Sequence, residues 1–292
     1  MAHEDRHRHL RPPAVRVPAS WRLTDSAGPR PFVAFARFER PDGTTVDWSS
    51  RRHRKGLGLG PVGGRARRHW RRPTTPSIVM AALFMVGSTC FAVGSLPAFA
   101  DAVSTAAVGW TFFVGSVAFT SAAYVQFREA ITAPGAVDDP GSVPRGLRRW
   151  AAWAPERIDW WASAVQFLGT LAFNVTTFAA TRTSLTVIQE RRWIWVPDVV
   201  GSICFLVASW LAYGEAAAGG HGVRGRGVGW WICWLNLAGS VAFGLAAVGA
   251  RYLRATGEIA NIALVNLGTF AGAVCFFLGA ALLPVESARE SA

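Results

Sequence analysis

The stretch Trp195–Tyr213, WVPDVVGSICFLVASWLAY, reads as one membrane-spanning helix. It is an apolar run of the roughly 20 residues that a bilayer core requires. Trp and Tyr stand at its ends, where such rings settle at headgroup level. At its heart is Gly201-Ser202-Ile203-Cys204-Phe205, and near-copies recur along the chain: GSTCF from Gly87, GSVAF from Gly115, GTLAF from Gly169 and GSVAF from Gly239. A variant carries Gly268-Thr269 and then Gly272-Ala273-Val274-Cys275-Phe276.

Lipid offers little hydrophobic drive between helices, so association depends on close packing of small residues. Glycine lets a neighbouring backbone approach, and Ser or Thr returns its hydroxyl to the preceding turn or bonds across the interface. The Phe four residues later lies on the same face one turn on. The pentad therefore reads as a helix-crossing device built on Gly87, Gly115, Gly169, Gly201, Gly239, Gly268 and Gly272.

Six segments have spanning length and composition: Ser77–Phe99, Val103–Phe127, Asp159–Ala180, Ile194–Tyr213, Val228–Leu253 and Glu258–Leu283. The fold class expected is all-α, a polytopic membrane protein of six transmembrane helices arranged as three parallel helical hairpins. The hairpins are 77–127 and, within a four-helix portion 159–283, 159–213 and 228–283. A linker, 128–158, joins the two parts, and 284–292 forms a tail. The stretch 133–146, APGAVDDPGSVPRG, reads as a flexible connection.

Charge sets the orientation. Residues 1–76 hold 17 Lys and Arg against 6 Asp and Glu, and the remaining chain holds 13 against 12. The positive-inside rule places this basic block, and with it both termini, in the cytoplasm of a bacterial cell. A basic block next to an apolar segment points to anionic lipid headgroups more than to nucleic acid. The headgroup-facing residues expected are Arg51, Arg52, Arg54, Lys55, Arg67, Arg68, Arg71 and Arg72. No short apolar core opens the chain, so the first apolar segment reads as an uncleaved membrane helix. Within the basic region, Phe32–Phe38 and Thr44–Trp48 flank the turn signal Pro41-Asp42-Gly43, which predicts a β-hairpin over 31–49. Residues 1–28 and 56–76 read as disordered.

The hairpin pattern, MVGSTCFAVGSLPAF followed by GWTFFVGSVAFTSAAYVQF, resembles the YrhK-like family of small bacterial membrane domains. It is also similar to multi-pass actinobacterial membrane proteins that embed such domains. The resemblance covers 77–127 most closely and 159–283 more loosely. That family has no established activity, so the resemblance implies a membrane location and a helical fold and no mechanism.

Polar residues inside spans are the functional pointers in a membrane protein. Gln166, Asp198 and Asn236 each stand one turn before a motif glycine. With Asn174 and Asn266 they are expected either to line a small polar cavity or to act as interhelical hydrogen-bond glue. Asp198 reads two ways, as the first turn of a helix after Pro197 or as an ion or proton site. Catalysis is not expected. Cys90, Cys204, Cys233 and Cys275 lie in apolar segments without ligand spacing. No span contains a His, so neither a metal site nor a Ser-His pair forms there. GLGLGPVGG at 56–64 lacks the Gly-Lys-Ser/Thr ending of a phosphate loop. No metal or cofactor is expected. The function expected is a non-enzymatic scaffold or interaction module, acting as a homo-oligomer or with a membrane partner. The alternative is a transporter or channel for a small solute or ion.

Overall fold

The computed structural model describes residues 10–61, 73–138, 146, 152–218, 227–253 and 256–290. They form a small N-terminal β-domain and a helical bundle.

The β-domain starts from the expected hairpin. β2 (Phe35–Glu39) pairs antiparallel with β3 (Thr45–Ser49), from Phe35 opposite Ser49 to Glu39 opposite Thr45. Gly43 takes a positive φ of 78° in the connecting turn, and Asp42 accepts from the Thr44 amide at 2.9 Å. β1 (Arg22–Ala27) adds a third strand on β2, and the two-residue β4 (Gly60–Pro61) a fourth on β3. This corrects the expectation of disorder over 1–28 and 56–76 for the part described. An isolated hairpin is marginal in water; here Trp21 and Leu23 close over Phe38, Val46 and Trp48. Val137, from the supposed flexible connection, completes that core, tied by its amide to the Arg16 carbonyl at 3.0 Å.

After β3 comes the short helix α1 (Ser50–Arg54), whose first turn is capped by the Ser49 hydroxyl. The bundle comprises α2 (Thr75–Gly94), α3 (Pro97–Ala102), α4 (Thr105–Ile131), α5 (Ile158–Ala180), α6 (Val187–Glu190), α7 (Val196–Ala218), α8 (Val228–Gly249), α9 (Ile262–Ala281) and α10 (Leu283–Glu290). A π-helical turn, Arg191–Trp195, joins α6 to α7. Five stretches are long and apolar enough to cross a membrane: Thr75–Gly94, Thr105–Ile131, Val187–Ala218, Val228–Gly249 and Ile262–Arg289. The expectation was six. α5 has 23 residues, but Asp159, Gln166, Asn174 and three threonines dilute its apolar character.

The long helices close into a ring. α2 packs on α4, α4 on α5, α5 on α7, α7 on α8, α8 on α9, and α9 returns to α2. Each crossing within a consecutive pair is notched by glycine. A Cβ on Gly87 would stand 2.9 Å from the Gly115 carbonyl, and one on Gly115 3.1 Å from that of Gly87. Gly169 meets the Gly201 carbonyl at 3.2 Å, and Gly239 and Gly272 meet each other's carbonyls at 3.0 Å. Gly268 adds a close approach to the Ala242 carbonyl, at 2.7 Å.

These notches admit the six motif phenylalanines to the ring axis, all of them buried. Within pairs, Phe91–Phe119, Phe173–Phe205 and Phe243–Phe276 have centroids 5.6, 5.2 and 5.5 Å apart. Phe119, Phe205 and Phe276 also form a triangle of 6.4, 5.9 and 5.6 Å. The geometry is mostly edge-to-face, which adds about 0.5–1.5 kcal/mol per pair beyond area burial. The outer face is the reverse: Val86, Val114, Leu168, Ile203, Leu245 and Leu267 are exposed, one on each long helix.

Candidate functional site

A polar chamber opens into the bundle from the side that carries the β-domain. It encloses about 110 Å³, room for a handful of waters, since each needs about 10–15 Å³. Phe84 and Phe276 form its floor, so the aromatic cluster separates it from the opposite end of the bundle.

Helix periodicity builds the wall. Gln126 and Glu129 are three residues apart and share a face of α4. Asp159, Ser163 and Gln166, spaced by four and then three residues, share a face of α5, and Asn236 lines the chamber from α8. Gln126 Nε2 donates to Gln166 Oε1 at 3.4 Å. Ser163 returns its hydroxyl to the Asp159 carbonyl at 2.8 Å. Asp159 is held by Arg157 through two contacts, the Nε one at 3.1 Å.

The roof comes from α1. Arg51 Nη2 lies 2.7 Å from Glu286 Oε1, Lys55 Nζ lies 2.9 Å from Glu286 Oε2, and Arg54 Nη1 lies 2.9 Å from Glu215 Oε2. The carboxylates are almost sealed, with side-chain exposures of 4% for Glu286 and 1% for Glu215. Arg51 Nη1 also donates to Cys233 Sγ at 3.3 Å. Burial by itself would lower the Arg54 pKa; the charge of Glu215 outweighs it and holds Arg54 above the usual guanidinium range. Glu129 lines the chamber with no hydrogen bond or ion pair among the described residues. On the far side of α1, His53 Nε2 sits 2.8 Å from the Pro134 carbonyl. Burial, chiefly, lowers the His53 pKa, and Arg157 adds to the effect against the pull of the Pro134 bond.

The structure therefore divides the sequence-selected residues. Gln166 and Asn236 meet in the chamber. Asn174, Asp198 and Asn266 do not line it. Asn174 donates to Thr120 Oγ1 at 2.9 Å, an α4–α5 bridge. Asp198 belongs to the opposite end, close enough to Tyr252 to help burial and Glu190 push that phenol up to about 12. It does not start a helix either: the chain is already helical from Val187, where Thr186 and Gln189 form a capping box. Arg51, Arg54 and Lys55, expected to face headgroups, turn into the chamber mouth instead, because Glu215 and Glu286 are there to receive them. Arg52 is half-buried and donates to the Leu57 carbonyl at 3.5 Å. Arg67, Arg68, Arg71 and Arg72 lie outside the described residues.

Sequence reasoning missed Gln126, Glu129, Glu215 and Glu286, which sit near the end of α4, in the last turn of α7 and in the first turn of α10 and read as span boundaries or tail. The three-residue spacing of Gln126 and Glu129 was the available signal. No known protein family, curated protein or solved structure matches the chain. The YrhK-like resemblance thus rests on the quoted residues alone.

Proposed function

We propose that the protein is a six-span integral membrane protein that forms a closed conduit for a small polar solute. The observation that carries this reading is the chamber reaching Gln166 and Asn236 and ending on the phenylalanine cluster. Hydrophobic constrictions gate channels by excluding water, and the phenylalanine cluster stands where such a gate would close the chamber. α5 counts as the sixth crossing because it is flanked by α4 and α7 and turns Leu168, Leu171 and Phe178 outward. The paired crossings then represent three parallel helical hairpins. The net positive charge of the N-terminal region supports a cytoplasmic β-domain and anionic lipid headgroups as a partner.

Efflux from proteoliposomes tests the conduit. Phe205→Ala should raise leakage of potassium or glycerol over the unmodified protein at equal reconstituted amounts. A correctly folded Phe205→Ala protein that stays as tight as the parent would overturn the reading. One observation favours a second function, a static membrane scaffold: six phenylalanine rings fill the axis with close contacts. A scaffold predicts no flux from either protein.

A further inference from the structure

We propose that the segment Ser50–Lys55 is a tethered cationic plug seated in a cation-selective vestibule of the bundle. This deepens the conduit reading, whose solute would then be a small monovalent cation.

Charge at the mouth is segregated by domain. The bundle supplies Glu129, Glu215 and Glu286, while its Asp159 is already held by Arg157. The cations on Glu215 and Glu286 come from the β-domain: Arg54 on the first, Arg51 and Lys55 on the second. Glu129 lines the same mouth from α4 and pairs with none of them among the described residues. Three carboxylates from one domain thus face three cations from the other. Lift the plug and the mouth presents three negative charges above the oxygens of Gln126, Gln166 and Asn236 and an aromatic floor. Such a cleft concentrates cations and repels anions, and the ring faces attract a cation further. Among the described residues no three His, Cys, Asp or Glu side chains come close enough to hold a metal ion. The carboxylates therefore form a diffuse field suited to monovalent cations, not a chelate.

The plug is built to be displaced. The β-domain has its own core around Phe38 and Trp48, separate from that of the bundle. α1 and Lys55 meet the bundle through three ion pairs; being sealed, these are screened only weakly by salt, but both sides of each pair regain hydration when the plug lifts. Displacement need not unfold either part.

Cys233 reports on the plug, because Arg51 covers it and it is buried. The full-length protein in nanodiscs would be treated with a cationic trimethylammonium or an anionic sulfonate methanethiosulfonate reagent, with modification at Cys233 read by mass spectrometry. The parent protein at low salt should react slowly with both. The variant Arg51→Gln/Arg54→Gln/Lys55→Gln should react faster, and on the order of tenfold faster with the cationic than the anionic reagent. Adding Glu129→Gln should reduce that preference. Should the triple variant misfold, Arg51→Gln alone carries the test: it uncovers Cys233 and should label faster than the parent, with the cationic reagent preferred. Equal rates for the two charges in whichever variant folds would overturn the proposal. Charge-selective labelling without any flux in proteoliposomes would leave the plug standing and remove the conduit. Flux with no charge preference at Cys233 would do the opposite.

Discussion

Arg51 and Glu286 stand 235 positions apart in the chain, and their side chains meet at 2.7 Å where the β-domain roofs the chamber. Both are largely sealed from solvent, with exposures of 13% and 4%. Removing one member of a buried pair strands the other, at a cost of about 3–5 kcal/mol. Glu286→Ala should therefore lower the unfolding midpoint in detergent sharply. Combining it with Arg51→Met and Lys55→Met should recover much of the loss, since no uncompensated cation then remains. A combined variant no more stable than Glu286→Ala alone would show that the cations contribute little beyond packing.

Gly229 makes that pair possible. A Cβ there would run into Glu286 Oε1 and stand 3.2 Å from Arg51 Nε. Gly229→Val should push the carboxylate aside and destabilise by about 1–3 kcal/mol, as overpacking does. Gly227→Val, two residues earlier with open space around its Cβ position, is the control and should cost less. Denaturant midpoints for the two variants give the comparison.

The glycine-pentad rule was legible because it depends only on helical spacing and steric size. All seven selected glycines stand at close approaches. The chamber was half legible. Gln166 and Asn236 announce themselves as amides in apolar runs, but Glu129, Glu215 and Glu286 sit where charged residues ordinarily meet water. Their burial follows from a long-range event, the docking of α1, that no local pattern encodes. Asp198 misled for the opposite reason. Its Pro197 neighbour is a helix-start signal, but the chain enters α7 already helical through α6 and the π-helical turn.

The motif phenylalanines differ in how much each supports. Phe119 touches Phe84, Phe91, Phe205 and Phe276, and the Gly87 notch is shaped to its ring edge. Phe119→Ala should cost about 3–5 kcal/mol, the usual range for a buried aromatic truncation. Phe112, half-buried at the rim with a single ring contact to Phe91, should cost less when truncated. Thermal midpoints in one detergent rank the pair, and equal losses would mean the cluster has no hub.

Acid should loosen the roof through His53. Its folded pKa lies below the ordinary 6.5, mainly because burial disfavours the imidazolium. Between the folded value and 6.5 the unfolded chain binds more proton than the folded one, so stability rises with pH across that window. The full contribution of neutral His53 is present above pH 6.5 and is lost progressively as pH falls below it. His53→Gln keeps a donor for the Pro134 carbonyl and cannot titrate. Unfolding midpoints at pH 7.5 and 5.0 should therefore separate more widely for the parent protein than for His53→Gln. Identical separations would assign the acid sensitivity to other groups.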